Sequence, residues 1–185
     1  MSAAKFFKEH SWVKIDNYID QSMANLFYHH IQLETARLSY YEENDIRVDM
    51  AYNGTFTDDQ APGDFSKYGD PIFDAFLSLG LGKMQDLTGL KLVPTYSYHR
   101  LYTNGTELKR HKDRPSCEIS TTLCLGYDTS NLEDKNWNWP MYVKEKNGIE
   151  TPVYMKPGDM VIYRGCELEH WREPFIGNHH AQVFL

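Results

Sequence analysis

Cysteine is scarce in this sequence of 185 residues, and its spacing suits neither disulfides nor zinc. The three cysteines, Cys117, Cys124 and Cys166, are an odd number, and no pair has the C-x-x-C spacing of a zinc ribbon. The sequence therefore indicates neither a disulfide framework nor a structural zinc site. We expect reduced, buried thiols.

Long apolar runs and a basic surface are also missing. No segment approaches the ~18 apolar residues of a membrane span, and residues 1–14 contain no apolar run of signal-peptide length. We therefore expect a cytoplasmic protein with no membrane partner. A formal net charge of -7 argues against nucleic acid as the main partner, since neutralising phosphates needs a net basic face. The oligomeric state is left open.

What the sequence does contain is enough apolar material for a folded core. Hydrophobic residues make up 41% and aromatic residues 14% of the chain, which excludes a disordered protein. The length fits one domain over residues 1–185.

Helical periodicity marks the first half of the chain. A short apolar strand segment within 12–19 precedes a predicted helix over 21–44, and a second predicted helix runs over about 71–87. The polar segment 45–70 between them is expected to be irregular, either a lid or binding loop or an ordinary surface loop. His29 and His30, on the first helix, are expected to be structural.

From residue 92 onward the pattern changes to short β segments separated by turns. The predicted strands span 92–102, 117–125, 140–144, 152–156, 159–163 and 180–185. Helices followed by a run of short strands predict an α+β fold with an antiparallel sandwich or barrel. Residues of about 1–91 would form a helical support, and residues of about 92–185 the β core.

A candidate metal site appears at His111 and Asp113. In an extended segment, residues two apart point to the same face, so both side chains can reach one ion. His170, 57 residues after Asp113, is the candidate third ligand. Two imidazoles and one carboxylate on one face of an ion leave coordination positions open, which suits non-haem Fe(II).

The context of these ligands resembles the Fe(II)- and 2-oxoglutarate-dependent oxygenases, in their prolyl-4-hydroxylase-like branch. Tyr102 and Gly105 precede the His-x-Asp motif, and the run PGDMVIYRGCELEH ends at His170. In that superfamily a tyrosine and a glycine stand at similar distances, and a PGD turn introduces the strand before the distal histidine. The resemblance covers residues of about 92–185.

The resemblance implies a double-stranded β-helix, that is, a jelly-roll or cupin-like fold. It implies Fe(II) as the metal, with His111, Asp113 and His170 as the catalytic metal ligands. It also implies 2-oxoglutarate and O₂ as co-substrates, with ascorbate as a candidate accessory reductant.

The residue that would anchor 2-oxoglutarate departs from the family pattern. The family supplies an Arg or Lys about ten residues after the distal histidine, where this sequence has His179 and His180. Arg172 ranks first among the replacements, because it would share the inward face with His170 in an extended segment. An arginine fork also suits a carboxylate.

Three further candidates stay open for the same carboxylate. Arg100 ranks second and alternates with Tyr98 and Tyr102 along one strand face. His180 ranks third, because an imidazole is a weak cation at pH 7. Lys144 is fourth.

Four other residues are expected near the site. Tyr102 resembles the tyrosine that hydrogen-bonds the co-substrate in the family, and Thr122 and Cys124 are expected to line the interior beside it. Arg114 has three alternatives: it orients the Asp113 carboxylate, meets the substrate, or forms a surface salt bridge.

The function implied by the resemblance is hydroxylation of a C–H bond. A prolyl or other residue of a peptide or protein is the first alternative for the substrate, and a free amino acid or small metabolite is the second. A cupin-type metal enzyme that does not use 2-oxoglutarate is a further alternative. The presence of all three metal ligands argues against a non-catalytic interaction module.

Overall fold

The computed structural model describes residues 1–185, with most helical structure in the first half and most strands in the second. The helices are α1 (Ala3–His10), α2 (Gln21–Glu43), α3 (Met50–Asn53) and α4 (Pro71–Thr88). The strands are β1 (Trp12–Ile15), β2 (Phe65–Tyr68), β3 (Tyr98–Thr103), β4 (Leu108–His111), β5 (Ser120–Asp128), β6 (Met141–Lys144), β7 (Glu150–Val153), β8 (Met160–Tyr163), β9 (His170–Arg172) and β10 (His179–Phe184). A 3₁₀ turn spans Pro115–Cys117.

The two long helices begin where the sequence supplies capping residues. The Asp20 carboxylate accepts a hydrogen bond from the Met23 amide at the start of α2. The Asp70 side chain caps α4, which has Pro71 in its first turn and ends at Gly89, in the left-handed region with φ 72°. Both predicted helices are confirmed to within one residue.

The strands form two antiparallel sheets. The larger sheet has the order β1-β8-β5-β10-β3-β2 and the smaller has the order β4-β9-β6-β7. One buried cluster draws Cys124 and Val161 from the larger sheet and Met141 and Val143 from the smaller one, so the two sheets pack face to face. The predicted α+β class with antiparallel strands is confirmed.

The helices cover the other face of the larger sheet. Phe27 and Ile31 of α2 and Phe73 of α4 share a buried cluster with Leu123 and Val183. Because side chains alternate along a strand, the neighbours of these two residues in β5 and β10 face the smaller sheet instead. This alternation places the polar residues of β5 and β10 between the two sheets.

Several boundaries differ from the expectations. The segment 45–70, expected to be irregular, contains α3 and β2, and β2 joins β1 in extending the larger sheet with residues from the first half. The strand predicted over 92–102 begins only at Tyr98. Pro94 lacks an N–H for a sheet ladder, which suits a segment outside the sheet. No helix is long and apolar enough to cross a membrane.

The cysteines also differ in part from the expectation. All three are free, but only Cys124 is buried, whereas Cys117 and Cys166 are partly exposed. Both partly exposed thiols lie in connecting segments rather than in the core strands.

Candidate metal centre

The three residues expected to bind a metal lie together at one end of the smaller sheet. His111 ends β4 and is the register partner of His170, which begins β9. The Nε2 atoms of His111 and His170 lie 3.7 Å and 3.5 Å from Asp113 Oδ1. One donor atom from each of the three residues lies within 4.8 Å of the others.

Hydrogen bonds set the tautomer of both histidines. His111 Nδ1 lies 2.7 Å from the Lys109 carbonyl oxygen, and His170 Nδ1 lies 3.0 Å from the Leu168 carbonyl oxygen. A carbonyl oxygen only accepts, so each Nδ1 carries the proton that it donates. Each neutral ring therefore has an unprotonated Nε2 directed toward Asp113, which is the form of histidine that binds metals.

A hydrogen bond to Oδ2, the oxygen that does not face the histidines, holds the Asp113 carboxylate in place. Ser120 Oγ donates to Asp113 Oδ2 at 2.7 Å, and the Asp113 amide donates to the Gly165 carbonyl oxygen at 2.9 Å. A Cβ at Gly165 would collide with Asp113 Oδ2. Position 165 therefore has to be glycine for the carboxylate to keep this place.

The charge states suit a divalent cation. Burial would raise the pKa of Asp113, but the interaction with the His170 ring and the hydrogen bond from Ser120 outweigh it and hold the pKa below its usual value. Burial, followed by the proximity of His170, lowers the pKa of His111. One carboxylate and two imidazoles that each place Nε2 beside it form a donor set suited to a divalent metal, so the residues present fit an Fe(II) ion.

A cavity of about 440 Å³ opens beside the three residues. Its volume is within the usual range for small-molecule sites. Five tyrosines line it, namely Tyr68, Tyr96, Tyr98, Tyr102 and Tyr163. The charged side chains in its lining, apart from the metal ligands, are Asp58, Asp59, Arg100, Lys112 and Arg114.

Arg100 lies in the wall of this cavity and is already paired. Its Nη2 donates to Asp58 Oδ1 at 2.8 Å, and its other N–H groups reach the hydroxyls of Tyr98 and Tyr102. The side chain is 1% exposed. Asp58 belongs to the segment predicted as a lid, binding loop or surface loop, so that segment contributes to the cavity and neutralises Arg100.

Arg172 lies between the two sheets and has no acidic partner. Its side chain is 2% exposed, its Nη1 donates to the Trp139 carbonyl oxygen at 2.8 Å, and its Nη2 has no hydrogen-bond partner. The guanidinium carbon stands 4.6 Å from the Trp139 ring. Burial lowers the pKa of Arg172. A buried cation without a counter-ion is unfavourable and favours binding of an anion.

The surroundings of Arg172 are polar but uncharged. His180 of β10 and Cys124 of β5 interact electrostatically with Arg172, and Gln182 and Thr122 lie on the same strand faces, turned toward the smaller sheet. His180 Nδ1 and Gln182 Nε2 also lack partners, while Thr122 Oγ1 donates to Gln182 Oε1. Burial, together with the charge of Arg172, holds the pKa of His180 well below its usual value. Arg172 is therefore the one full cation among these residues.

Two other basic residues, Lys144 and Arg114, neither reach the interior beside Arg172 nor bind the Asp113 carboxylate. Lys144 Nζ is on the exposed side of β6, 3.5 Å from Glu169 Oε2, so it does not reach the interior. The proposal of Lys144 as fourth anchor was therefore wrong. Arg114 donates to the Tyr96 hydroxyl at 3.0 Å and stands at the cavity rim, with no bond to the Asp113 carboxylate.

The site also contains residues that sequence reasoning missed. Ser120, Gly165, Asp58 and Tyr163 contact the metal ligands or line the cavity. They reach the site through tertiary contacts from three separate segments of the chain, so no local sequence pattern marks them. The glycine in the otherwise large-residue run before His170 was the one available signal.

Comparison with known proteins identifies the fold. No family model matches the sequence, and no curated protein is similar enough in sequence to count as a relative. Among solved structures, a prolyl-4-hydroxylase from Pseudomonas putida is similar, with a TM-score of 0.66 and 18% identity over 98% of this chain and 94% of that one. A 2-oxoglutarate-Fe(II) oxygenase family oxidoreductase from Burkholderia pseudomallei has a TM-score of 0.67 and 12% identity over 98% and 86%.

A third similar structure contains the expected ligand. HygX from Streptomyces hygroscopicus, with nickel and 2-oxoglutarate bound, has a TM-score of 0.61 and 10% identity over 97% of this chain and 83% of that one. The chain therefore shares its fold with 2-oxoglutarate-Fe(II) oxygenases. The resemblance found in the sequence is confirmed at the level of the fold.

Proposed function

We propose that this chain is an Fe(II)- and 2-oxoglutarate-dependent oxygenase that hydroxylates a C–H bond. The observation that carries the proposal is the meeting of His111, Asp113 and His170 beside a cavity, with one donor atom of each within 4.8 Å of the others. The shared fold supports it. In this proposal, residues 1–185 form one domain, and the two sheets are the halves of a double-stranded β-helix.

The iron would be held by His111, Asp113 and His170. When bound, it supplies the oxidation of a substrate C–H bond by O₂, coupled to decarboxylation of 2-oxoglutarate to succinate. The protein's own contribution is to fix the ligands before the ion arrives, through the carbonyl oxygens of Lys109 and Leu168 and the hydroxyl of Ser120.

Arg172 is the proposed anchor for the far carboxylate of 2-oxoglutarate. Its Nη2 has no partner and no acid neutralises it, so a carboxylate would supply both a hydrogen-bond acceptor and a counter-charge. Arg100 is a weaker candidate because Asp58 already occupies its guanidinium. His180 and Thr122 would shape the pocket around Arg172 as neutral groups.

Tyr102 lies between the metal cavity and Arg172, whose side chain is not part of the cavity lining. The Tyr102 side chain is buried, lines the cavity and lies with its ring centroid 5.0 Å from that of Trp139, the ring on which Arg172 stacks. A ligand that spans from the metal to Arg172 would pass this hydroxyl. Tyr102 is therefore the proposed hydrogen-bond partner of the co-substrate.

The proposed substrate is a prolyl or other residue of a peptide or protein. The aromatic lining of the cavity suits an aliphatic ring or chain, and the fold neighbours include a prolyl-4-hydroxylase. A free amino acid or small metabolite is the second candidate, because the cavity also carries acidic and basic side chains. Localisation in the cytoplasm stays a prediction.

The test is an anaerobic titration of the purified protein with Fe(II) and then 2-oxoglutarate. We expect a visible charge-transfer band when the co-substrate chelates the iron, and succinate formation once O₂ is admitted, with and without ascorbate. A protein that binds Fe(II) but gives neither band nor succinate would contradict the proposal and favour a metal enzyme that does not use 2-oxoglutarate.

A further inference from the structure

A second cavity adjoins the metal cavity. It measures about 330 Å³ and lies between α4, the segment 91–95 and the turn 115–119. Thr95, Ser116 and Ile119 line both cavities. The two cavities therefore share a wall, and we call the pair the trough.

The second cavity is mainly apolar, and three of its four leucines pack in no core cluster. Leu77 and Leu81 are one turn apart on α4 and face the cavity together with Leu92. All three are half-buried, and none of them packs in the three core clusters. Val93 beside them is 84% exposed. A concave, mostly apolar lining is typical of a binding site.

The backbone along the same trough is also unpaired. Residues 93–96 lie outside every helix and strand, and the amides of Val93, Thr95 and Tyr96 donate no hydrogen bond. The carbonyl oxygens of these residues accept none. The nearest bonds are from the Leu92 amide to Gln85 Oε1 and from Thr95 Oγ1 to the Ser116 carbonyl oxygen. Such a segment offers the main-chain groups that an extended peptide uses when it docks alongside a chain.

We propose that this trough binds an extended, apolar stretch of a polypeptide substrate, next to the residue that enters the metal cavity. The inference rests on the proposed function and narrows its substrate to a polypeptide. The aliphatic side chains of the substrate would occupy the cavity at Leu77, Leu81 and Leu92, and its backbone would pair with residues 93–96. A free amino acid would fill only the first cavity and make no use of the second.

The probe is a display library of random linear ten-residue peptides, selected on the protein loaded with Ni(II) and 2-oxoglutarate. Nickel replaces Fe(II) so that no turnover occurs. Enriched peptides are synthesised with blocked ends and a fluorescent label, and their Kd is measured by fluorescence anisotropy. We expect them to share at least two neighbouring aliphatic residues.

Two pairs of variants localise the binding. Leu81→Glu places a charge in the apolar cavity and should weaken peptide binding at least about tenfold. Leu79→Glu is the matched control, since Leu79 is on the same helix and 86% exposed. Thr95→Pro removes one free amide and should also weaken binding about tenfold, whereas Thr95→Ala keeps that amide and should stay within about threefold. If Leu81→Glu does not fold, Val93→Glu replaces it.

Several outcomes would overturn the inference. These are enrichment of peptides without aliphatic residues, equal binding to the wild type and to Leu81→Glu, or binding of single free amino acids with no peptide enriched. The absorption band of the complex with Fe(II) and 2-oxoglutarate, measured on the same preparations, distinguishes failure of this inference from failure of the proposed function. If the band forms but no aliphatic peptide binds, only this inference fails; if the wild type gives no band, the proposed function fails with it.

Discussion

Two clusters in this molecule combine histidine with carboxylate side chains at metal-ligand spacing, but only one is open at its centre. One cluster is His111, Asp113 and His170, and the other is His30, Glu34 and Asp70. In the second, Lys67 Nζ lies 2.6 Å from Glu34 Oε1 and 2.8 Å from Asp70 Oδ2. The lysine ammonium supplies the cation there, so the second cluster is a structural ion-pair network.

The two buried arginines repeat the contrast. Arg100 is neutralised by Asp58. Arg172 has no acid beside it, and its Nη2 has no hydrogen-bond acceptor. Residue type and burial are the same in both cases. What distinguishes a structural charge from a charge kept for a ligand is whether the chain itself provides the partner.

The largest expected effect is on the stability contributed by His30, Glu34 and Asp70, which we call the closed cluster because Lys67 occupies its centre. Lys67→Met leaves Glu34 and Asp70 buried without their cation and should lower the free energy of unfolding by about 3–5 kcal/mol. Urea denaturation at pH 7 measures this. Lys5→Met, at an exposed lysine, is the control and should change the free energy of unfolding by less than about 0.5 kcal/mol. A Lys67→Met variant as stable as the control would mean that the network is not held by its lysine.

In the open cluster of His111, Asp113 and His170, a substitution should change the metal affinity rather than the stability of the fold. Asp113→Ala removes the anionic ligand and should weaken Fe(II) binding at least about 100-fold, since even the partners of metal ligands contribute 10–100-fold. Anaerobic titration gives the affinity. Asp70→Asn, in the closed cluster, should leave affinity and stoichiometry unchanged. Loss of iron in Asp70→Asn but not in Asp113→Ala would reverse the assignment of the two clusters.

Substitutions of the two arginines should differ in how much they weaken 2-oxoglutarate binding. Arg172→Leu removes a charged partner from a desolvated pocket and should weaken 2-oxoglutarate binding at least about 30-fold, with little change in iron affinity. The absorption band of the iron complex reports both affinities. Arg100→Leu should have a smaller effect on 2-oxoglutarate affinity. The ranking is wrong if Arg100→Leu or a His180→Ala variant abolishes binding while Arg172→Leu does not.

Acid should weaken the closed cluster in a defined pH range. Burial would raise the pKa of Asp70, but hydrogen bonding and charge from Lys67 lower it to about 2. A carboxylate with a lowered folded-state pKa stabilises above its unfolded-state pKa of about 3.9 and loses this contribution as pH falls toward 2. We expect a loss of about 2 kcal/mol over this range.

The measurement is urea denaturation between pH 5 and pH 2, compared with Asp70→Asn. The asparagine side chain can still accept the hydrogen bond from Ile72 N at the start of α4. The variant should therefore keep its cap but show a flatter dependence on pH. Parallel curves for the two proteins would show that Asp70 does not contribute.

The smallest expected effect concerns the packing behind Asp113. Gly165→Ala brings a methyl group onto Asp113 Oδ2 and Ser120 Oγ and should weaken Fe(II) binding about tenfold by displacing the carboxylate. Gly82→Ala is the control, since a Cβ there meets no atom within 4 Å. Unchanged iron affinity in Gly165→Ala would mean that the loop moves without disturbing the ligand.

The parts of the fold that could be predicted are those with a strong local signal. α2 and α4 have helical periodicity and capping residues, and β6, β8 and β10 are apolar segments bounded by turns. β4 and β9 are as short, with four and three residues, but they are mostly polar and therefore show no apolar strand pattern. They nevertheless hold two of the proposed ligands.

The same limit applies to the site. The ligand residues were found because their types and spacing are chemically distinctive, and the placement of His170 and Arg172 on one strand face follows from β9 being extended. The sequence could not show that Arg100 has an acidic partner and Arg172 has none. This difference depends on Asp58, which lies 42 residues before Arg100 and approaches it only through tertiary folding.

The carbonyl oxygens that hold the two histidines have a consequence for metal exchange. Each belongs to the residue two positions before its histidine, Lys109 for His111 and Leu168 for His170, so each ring is immobilised by its own segment. The rotamer entropy of these rings, of order 1 kcal/mol per side chain, is therefore already lost before an ion binds. We therefore expect Fe(II), if it binds here as proposed, to exchange without refolding of these two segments.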